Sequence, residues 1–284
     1  MKAKVFGVCG AGTMGAGIAY SAALAGFEVI LYDFPEPLNN GRLSIDKFSK
    51  DSVDRKKLTQ EQVDTLLSRF HFVSDLEKLS DCDIIIEAII ENLQIKQDLF
   101  VKLESITNDG TILASNTSSL AITAIFSKLV KTEFSVGMHF FNPAHVMKLV
   151  EVIKGYRTSE ETIERVIEIC KLLSKIPVNV KDTPGFIVNR VARNFYGEAF
   201  RIVSEGAATV QKVDECMKNI GFKMGPFELM DLIGIDVNFA VTKSVYEGFN
   251  KAHKFLPSEI QHEKLISGQL GRKTGKGFYD YEKL

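Results

Sequence analysis

The sequence predicts an α/β fold: a doubly wound, mostly parallel sheet covered by helices on both faces, with an all-helical C-terminal domain after it. Three observations carry this. Short apolar runs alternate with longer amphipathic stretches through the first two thirds of the chain, a glycine-rich turn joins the first run to an alanine-rich stretch, and the strand-like runs stop after Asp182-Thr183-Pro184-Gly185. In order, Val5 to Cys9, Val29 to Tyr32, Ile84 to Ala88, Thr111 to Ala114, Val136 to Phe140 and Leu149 to Ile153 read as buried strands, because they are nearly continuous in apolar residues. Met14 to Ala25, Asn92 to Ile106 and Glu160 to Lys175 place apolar residues at helical spacing between them. Asp46 to Ser68 reads as a pair of amphipathic helices projecting from the sheet at the edge of the site. Beyond Pro184, Phe186 to Gly206, Val210 to Ile220 and Phe227 to Ile233 read as helices separated by glycines, and the basic, glycine-rich run from Leu270 to Tyr279 reads as an irregular tail. The expected division is residues 1–184 and 185–284.

Composition narrows the function. The chain has 284 residues, 45% of them hydrophobic and 25% charged, so a packed core is within reach and disorder is not expected. Its 35 basic and 36 acidic side chains nearly cancel, and no basic run exceeds Arg55-Lys56-Lys57, which leaves no electrostatic footprint for nucleic acid or an anionic membrane. No apolar stretch approaches the ~18 residues of a spanning helix, and the amino terminus enters a strand without a leader pattern. Cys9, Cys82, Cys170 and Cys216 are far apart and lack metal-ligand spacing, so neither a disulfide framework nor a metal site is expected. A reducing, cytoplasmic setting fits.

The strongest local signal is Gly10-Ala11-Gly12-Thr13-Met14-Gly15, set directly between the first strand and the alanine-rich helix. The first glycine permits a tight turn, the second lets backbone approach a pyrophosphate, and the third lets helix pack on strand with its positive end toward the anion. Asp33 closes the second strand roughly 20 residues on, where a carboxylate accepts hydrogen bonds from a ribose diol and repels a 2′-phosphate. A Rossmann-type domain that binds NAD is therefore expected. NADP is disfavoured, with Arg42 as the nearest cation in sequence.

A nicotinamide site needs a group that takes a proton as hydride leaves a carbinol, and imidazole suits this. His139 ends an apolar strand just before Phe140-Phe141-Asn142-Pro143, at the carboxyl edge where open α/β sheets bind ligands. Glu151 lies inside another apolar strand, where a carboxylate needs a partner. A His139–Glu151 pair answers both needs, although spacing alone equally allows each to be satisfied separately. His71, His145, His253 and His262 read as surface or loop residues.

Several blocks resemble the short-chain (S)-3-hydroxyacyl-CoA dehydrogenases, including the bacterial 3-hydroxybutyryl-CoA enzymes. They are the glycine turn, Ile86-Glu87-Ala88, Ser115-Asn116-Thr117-Ser118-Ser119-Leu120, His139-Phe140-Phe141-Asn142-Pro143, Met147 to Ile153, Asp182 to Arg190 and Met224 to Leu229. The resemblance covers nearly the whole chain. It implies that His139 is the general base, that Glu151 orients it, and that Ser118 and Asn189 bind the substrate's oxygen atoms. It further implies cofactor contacts from Gly10, Gly12, Thr13, Met14, Gly15, Asp33, Glu91, Lys96, Ser118 and Asn142. Read without it, Glu91 and Lys96 are surface charges. The helical insertion departs from the longer mitochondrial members, so CoA contacts there rest on charge alone: Lys50 and Lys56 suit a phosphate, and solvated helix-face lysines are the competing reading. His145 stands where the family pattern suggests proline or valine, a departure expected to alter the pocket's polarity or pH response.

The expected activity is reversible NAD-linked oxidation of (S)-3-hydroxyacyl-CoA to 3-ketoacyl-CoA, with 3-hydroxybutyryl-CoA the expected substrate. Two alternatives stay open: a related dehydrogenase of a free hydroxy or sugar acid, and a catalytically idle crystallin-like protein. The apolar residues of Phe186 to Ile233 exceed what a thin three-helix unit encloses, which predicts a homodimer through the helical domain.

Overall fold

The computed structural model describes residues 4–281, and the chain divides into two compact units between Asp182 and Thr183. The first is built on one sheet of eight strands: β1 (Val5–Cys9), β2 (Glu28–Tyr32), β3 (Phe70–Val73), β4 (Ile84–Glu87), β5 (Ile112–Ser115), β6 (Ser135–Phe140), β7 (Leu149–Lys154) and β8 (Ile176–Lys181). Their order is β3-β2-β1-β4-β5-β6-β7-β8, parallel throughout except for the antiparallel β6–β7 pair. Chain order reverses between β1 and β4, which opens a crevice beyond their carboxyl ends.

Every residue of β4, β5 and β6 is buried, so helices cover both faces of the sheet's middle. On one side α1 (Thr13–Leu24) and α6 (Glu160–Leu172) contribute Ile18, Ala19, Ile163 and Val166 to the core around Phe6, Val8, Val29 and Val150. Elsewhere Phe100 of α4 (Leu93–Ile106) lies 4.5 Å from Phe126, which follows α5 (Ile122–Ile125). Caps match the local sequence. Asn92 accepts from the Ile95 amide at the start of α4, and Ser159 accepts from the Thr162 amide at the start of α6.

All six expected strands form. The two missed ones, β3 and β8, are the sheet's edges. An edge strand needs few apolar residues and tolerates Pro177 in the Ile176–Lys181 segment, so neither carries the buried-strand signature. The helical insertion also begins earlier than expected. α2 (Pro35–Asp54) starts at a proline in its first turn, and α3 (Gln60–Leu67) follows under a Thr59–Gln62 capping box. α2 lies against the core instead of projecting: Gly41, Ile45 and Ser49 are buried, and Tyr20 of α1 meets Ser52 at 3.0 Å and the Phe48 ring edge-on.

Among the described residues the second unit has five α-helices where the sequence suggested three: α7 (Val188–Ser204), α8 (Val210–Asn219), α9 (Pro226–Ile233), α10 (Ile235–Gly248) and α11 (Glu259–Ile266). Tyr196, Phe200, Val213, Phe227 and Met230 form its core, and Phe278 from the glycine-rich tail joins it at 4.9 Å from Phe227. Two buried carboxylates hold that tail. Asp214 accepts from the Phe227 and Glu228 amides, capping α9, and from the Tyr279 hydroxyl at 2.7 Å. Asp231 accepts from the Phe278 and Tyr279 amides and the Tyr281 hydroxyl. Removing Asp231 strands three donors, so Asp231→Ala should lower the unfolding free energy by about 2 to 4 kcal/mol in a urea titration.

Candidate active site

The glycine turn sits at the carboxyl end of β1. Gly10 has φ of +105°, and a Cβ there would lie 2.6 Å from the Ala88 carbonyl oxygen, while one at Gly15 would lie 1.7 Å from the Gly10 oxygen. Only glycine fits either position. At Gly12 a Cβ would meet nothing within 4 Å, and no side chain caps the first turn of α1 that Gly12 opens. The turn is thus closed where it packs and open where a dinucleotide's phosphates would approach, with Thr13 exposed and Met14 half-buried beside it. Asp33 reaches back from the end of β2, one oxygen accepting from the Ala11 amide at 2.7 Å and the other from the Phe34 amide. Arg42 lies over the Phe72 ring at 4.4 Å.

β6 and β7 run antiparallel with His139 directly opposite Glu151. Their side chains meet inside the protein, His139 Nδ1 to Glu151 Oε2 at 2.8 Å, with 6% and 1% of each residue exposed. A carboxylate only accepts, so in this contact Nδ1 is the donor. The end of β6 is fixed separately by Asn116, whose side-chain oxygen accepts from the Phe140 amide at 2.8 Å.

These features agree with the comparisons. Residues 5–183 match the NAD binding domain of 3-hydroxyacyl-CoA dehydrogenase, and residues 185–281 match its C-terminal domain. The chain belongs to the 3-hydroxyacyl-CoA dehydrogenase family. It is 45% identical to a 3-hydroxyadipyl-CoA dehydrogenase of Escherichia coli over 99% of its own length but only 60% of that protein's. A probable 3-hydroxybutyryl-CoA dehydrogenase of Deinococcus radiodurans is 43% identical over 97% of this chain and 99% of its own length. The solved (S)-3-hydroxybutyryl-CoA dehydrogenase of Ralstonia eutropha superposes with a TM-score of 0.94 at 36% identity, covering 99% of both chains.

In this family member a second buried cluster underlies the loop after β5. Glu87, at the end of β4 and 0% exposed, accepts from Lys96 Nζ at 2.5 Å, from Ser115 Oγ at 2.7 Å and from the Ile89 amide at 2.8 Å. Lys96, 1% exposed, also pairs with Glu91 at 3.2 Å. Glu91 then gathers the loop, accepting from Thr117 Oγ1 at 2.5 Å, Ser119 Oγ at 3.0 Å and the Ser118 amide at 3.2 Å. Burial pushes the Glu87 carboxyl above its ordinary value, against the pull of Lys96 and Ser115. Burial acts the same way on Glu91, but Lys96 and the Thr117 hydroxyl outweigh it and hold that carboxyl below its ordinary value.

The sequence-derived residues therefore divide. His139, Glu151, Ser118, Glu91, the glycine turn and Asp33 all stand at carboxyl ends of strands in the first unit or face one another there. Lys96 was expected against the cofactor, and the structure instead sets its ammonium inside, between two carboxylates. Asn142 is exposed beyond β6, Lys50 is exposed on α2, and Lys56 is exposed in the turn that follows it. Asn189 stands in the first turn of α7 in the second unit. His145 is not a plain surface residue. It stacks on Phe48 at 3.9 Å, its Nδ1 is buried without a partner, and burial, with Lys175 and Lys57 nearby, lowers its pKa. It belongs to the packing of α2. Glu87 enters the sequence reading only within the Ile86-Glu87-Ala88 block and with no role, although a glutamate closing Ile84-Ile85-Ile86 raises the same question as Glu151.

Removing one partner of a buried ion pair leaves the other charge uncompensated. Lys96→Met should cost about 3 to 5 kcal/mol in urea unfolding on that basis, and the double variant Lys96→Met with Glu87→Gln should recover most of the loss.

Proposed function

We propose that this chain catalyses the reversible oxidation of (S)-3-hydroxyacyl-CoA to 3-ketoacyl-CoA with NAD, and that the buried His139–Glu151 contact carries the acid/base chemistry. The 2.8 Å contact across β6–β7 is the observation on which this reading stands. In oxidation His139 Nε2 takes the proton of the C3 hydroxyl, and Glu151, accepting from Nδ1, stabilises the imidazolium that results. Ser118 and Asn189 hold the C3 oxygen, each a neutral donor able to polarise a carbonyl in the reverse direction. NAD, when bound, supplies the hydride acceptor. Gly10, Gly12, Thr13, Met14 and Gly15 would offer backbone to its pyrophosphate, Asp33 would accept from the adenosine ribose, and Glu91 and Asn142 would be further contacts to the cofactor. Lys96 serves the site through Glu91.

Relatives are named for both butyryl and adipyl substrates, which supports a short acyl chain here. Lys50 and Lys56 are assigned to the CoA phosphates on charge and exposure. Four unpaired cysteines, three of them buried, support a reducing compartment such as the cytoplasm. A homodimer through the helical unit is part of the same proposal. Phe186, Phe200, Phe227 and Met230 turn out to be buried, but Ile187, Leu232 and Ile233 remain exposed, with Val191 and Val237 exposed as well.

General acid/base assistance contributes ~10² to 10⁴ in rate, so His139→Gln should lose turnover on that scale with acetoacetyl-CoA and NADH while NADH affinity measured by fluorescence holds. Glu151→Gln should lose less and shift the basic limb of the kcat profile to lower pH, because imidazolium loses its acceptor. Full activity in His139→Gln would refute the mechanism. Light scattering should return twice the 31.6 kDa chain mass, falling to the single mass when Ile233 is changed to Asp.

A further inference from the structure

Arg193 is a buried cation without an anion. It is 5% exposed in α7, and among the described residues no carboxylate pairs with it. Its partners are all neutral: Nε donates to the Asn189 carbonyl at 3.3 Å, and Nη1 to the Asn238 carbonyl at 2.8 Å, to Asn238 Oδ1 at 3.2 Å and to Thr242 Oγ1 at 2.6 Å. Nη2 has no acceptor among the described residues. The guanidinium stands over the Tyr196 ring at 4.9 Å, a contact that keeps its charge without neutralising it. Burial lowers its pKa to about 10, so it is still a cation at neutral pH. Burying a charge among neutral groups is unfavourable, and a purely structural tie between α7 and α10 could be made by a neutral donor.

Its position suggests what the charge answers. Arg193 follows Asn189 by four residues in one helix, so the two side chains share a face about one turn apart. On the reading that Asn189 holds the C3 oxygen, the acyl chain beyond C3 has Arg193 within reach along that face. In a six-carbon diacyl chain the terminal carboxylate lies three carbons past C3, on the order of the ~5.4 Å helical pitch. A methyl-ended butyryl chain stops short of it.

We propose that Arg193 is the specificity-determining residue of this enzyme, pairing through Nη2 with a carboxylate at the far end of the acyl group, so that the preferred substrates are 3-hydroxyacyl-CoA esters of dicarboxylic acids. This rests on the assignment of Asn189 above. An Arg–carboxylate pair in a desolvated pocket favours the charged chain end, whereas a methyl group there leaves the cation unanswered.

The test compares (S)-3-hydroxyadipyl-CoA with (S)-3-hydroxyhexanoyl-CoA, chains of equal length that differ in carboxylate against methyl at the end. Wild type should favour the diacid in kcat/KM by about tenfold or more, mostly through KM. Arg193→Met should erase or invert that ratio, and Arg193→Lys should keep part of it. A merely structural arginine would lower both substrates together and leave the ratio intact. The proposal is overturned by a wild-type ratio at or below one, which needs no variant to fold, or by a ratio that survives in Arg193→Met. Asn189→Ala assayed with (S)-3-hydroxybutyryl-CoA separates the two readings: an undiminished rate there sinks the Asn189 assignment, and a diminished one with a flat diacid ratio sinks only Arg193.

Discussion

Carboxylates taken out of water at the carboxyl edge of the sheet have to be met by donors, and this constraint organises the first unit. Glu87 at the end of β4 and Glu151 within β7 are both almost fully buried. Glu87 is met by the Lys96 ammonium, the Ser115 hydroxyl and the Ile89 amide, and Glu151 meets the His139 imidazole. The cost of leaving either unmet fixes the rotamers of the groups around it. From Glu87 the chain of contacts runs through Lys96 and Glu91 to the Ser118 loop. From Glu151 it runs to His139, whose strand end is pinned in turn by Asn116.

The two carboxylates do different things with the same burial. Glu87 meets a permanent cation and two further donors, an arrangement suited to holding a loop still. Glu151 meets an imidazole, and the proposed mechanism assigns proton uptake and release to that ring. Asp33 is a third variant. Half-buried, it gathers amides of the glycine turn and of its own loop, which positions a carboxylate beside an open backbone cradle. The helical unit applies the same rule to architecture, since Asp214 and Asp231 hold the glycine-rich tail through amides and tyrosine hydroxyls. Arg193 departs from it, a buried charge whose partners are all neutral.

Much of the fold was legible in the sequence where the signal is local. The six central strands, the flanking helices and the glycine turn all follow from continuous apolar runs, helical periodicity and backbone steric limits. What escaped were elements with weak local signatures: edge strands β3 and β8, which need little apolar content, and α10 and α11, whose polar and β-branched residues mask the period. α2 starts at Pro35, before the expected Asp46, since a proline fits the first turn of a helix.

The candidate site shows the same division. The residue types alone determined that a dinucleotide turn, an acid after the second strand, a histidine at a strand's end and a glutamate within a strand are present, because each is a local pattern with its own chemical requirement. They left open whether histidine and glutamate meet. The antiparallel turn from β6 to β7 decided that, since register alone sets Glu151 opposite His139. Tertiary structure likewise decided that Lys96 lies inside between Glu87 and Glu91, and that Arg193 reaches Asn238 and Thr242 on a helix more than forty positions away. The reason is physical. Periodicity and backbone propensity act within a few residues, whereas the partner of a buried charge is chosen by how separate elements pack, and packing is a property of the whole chain.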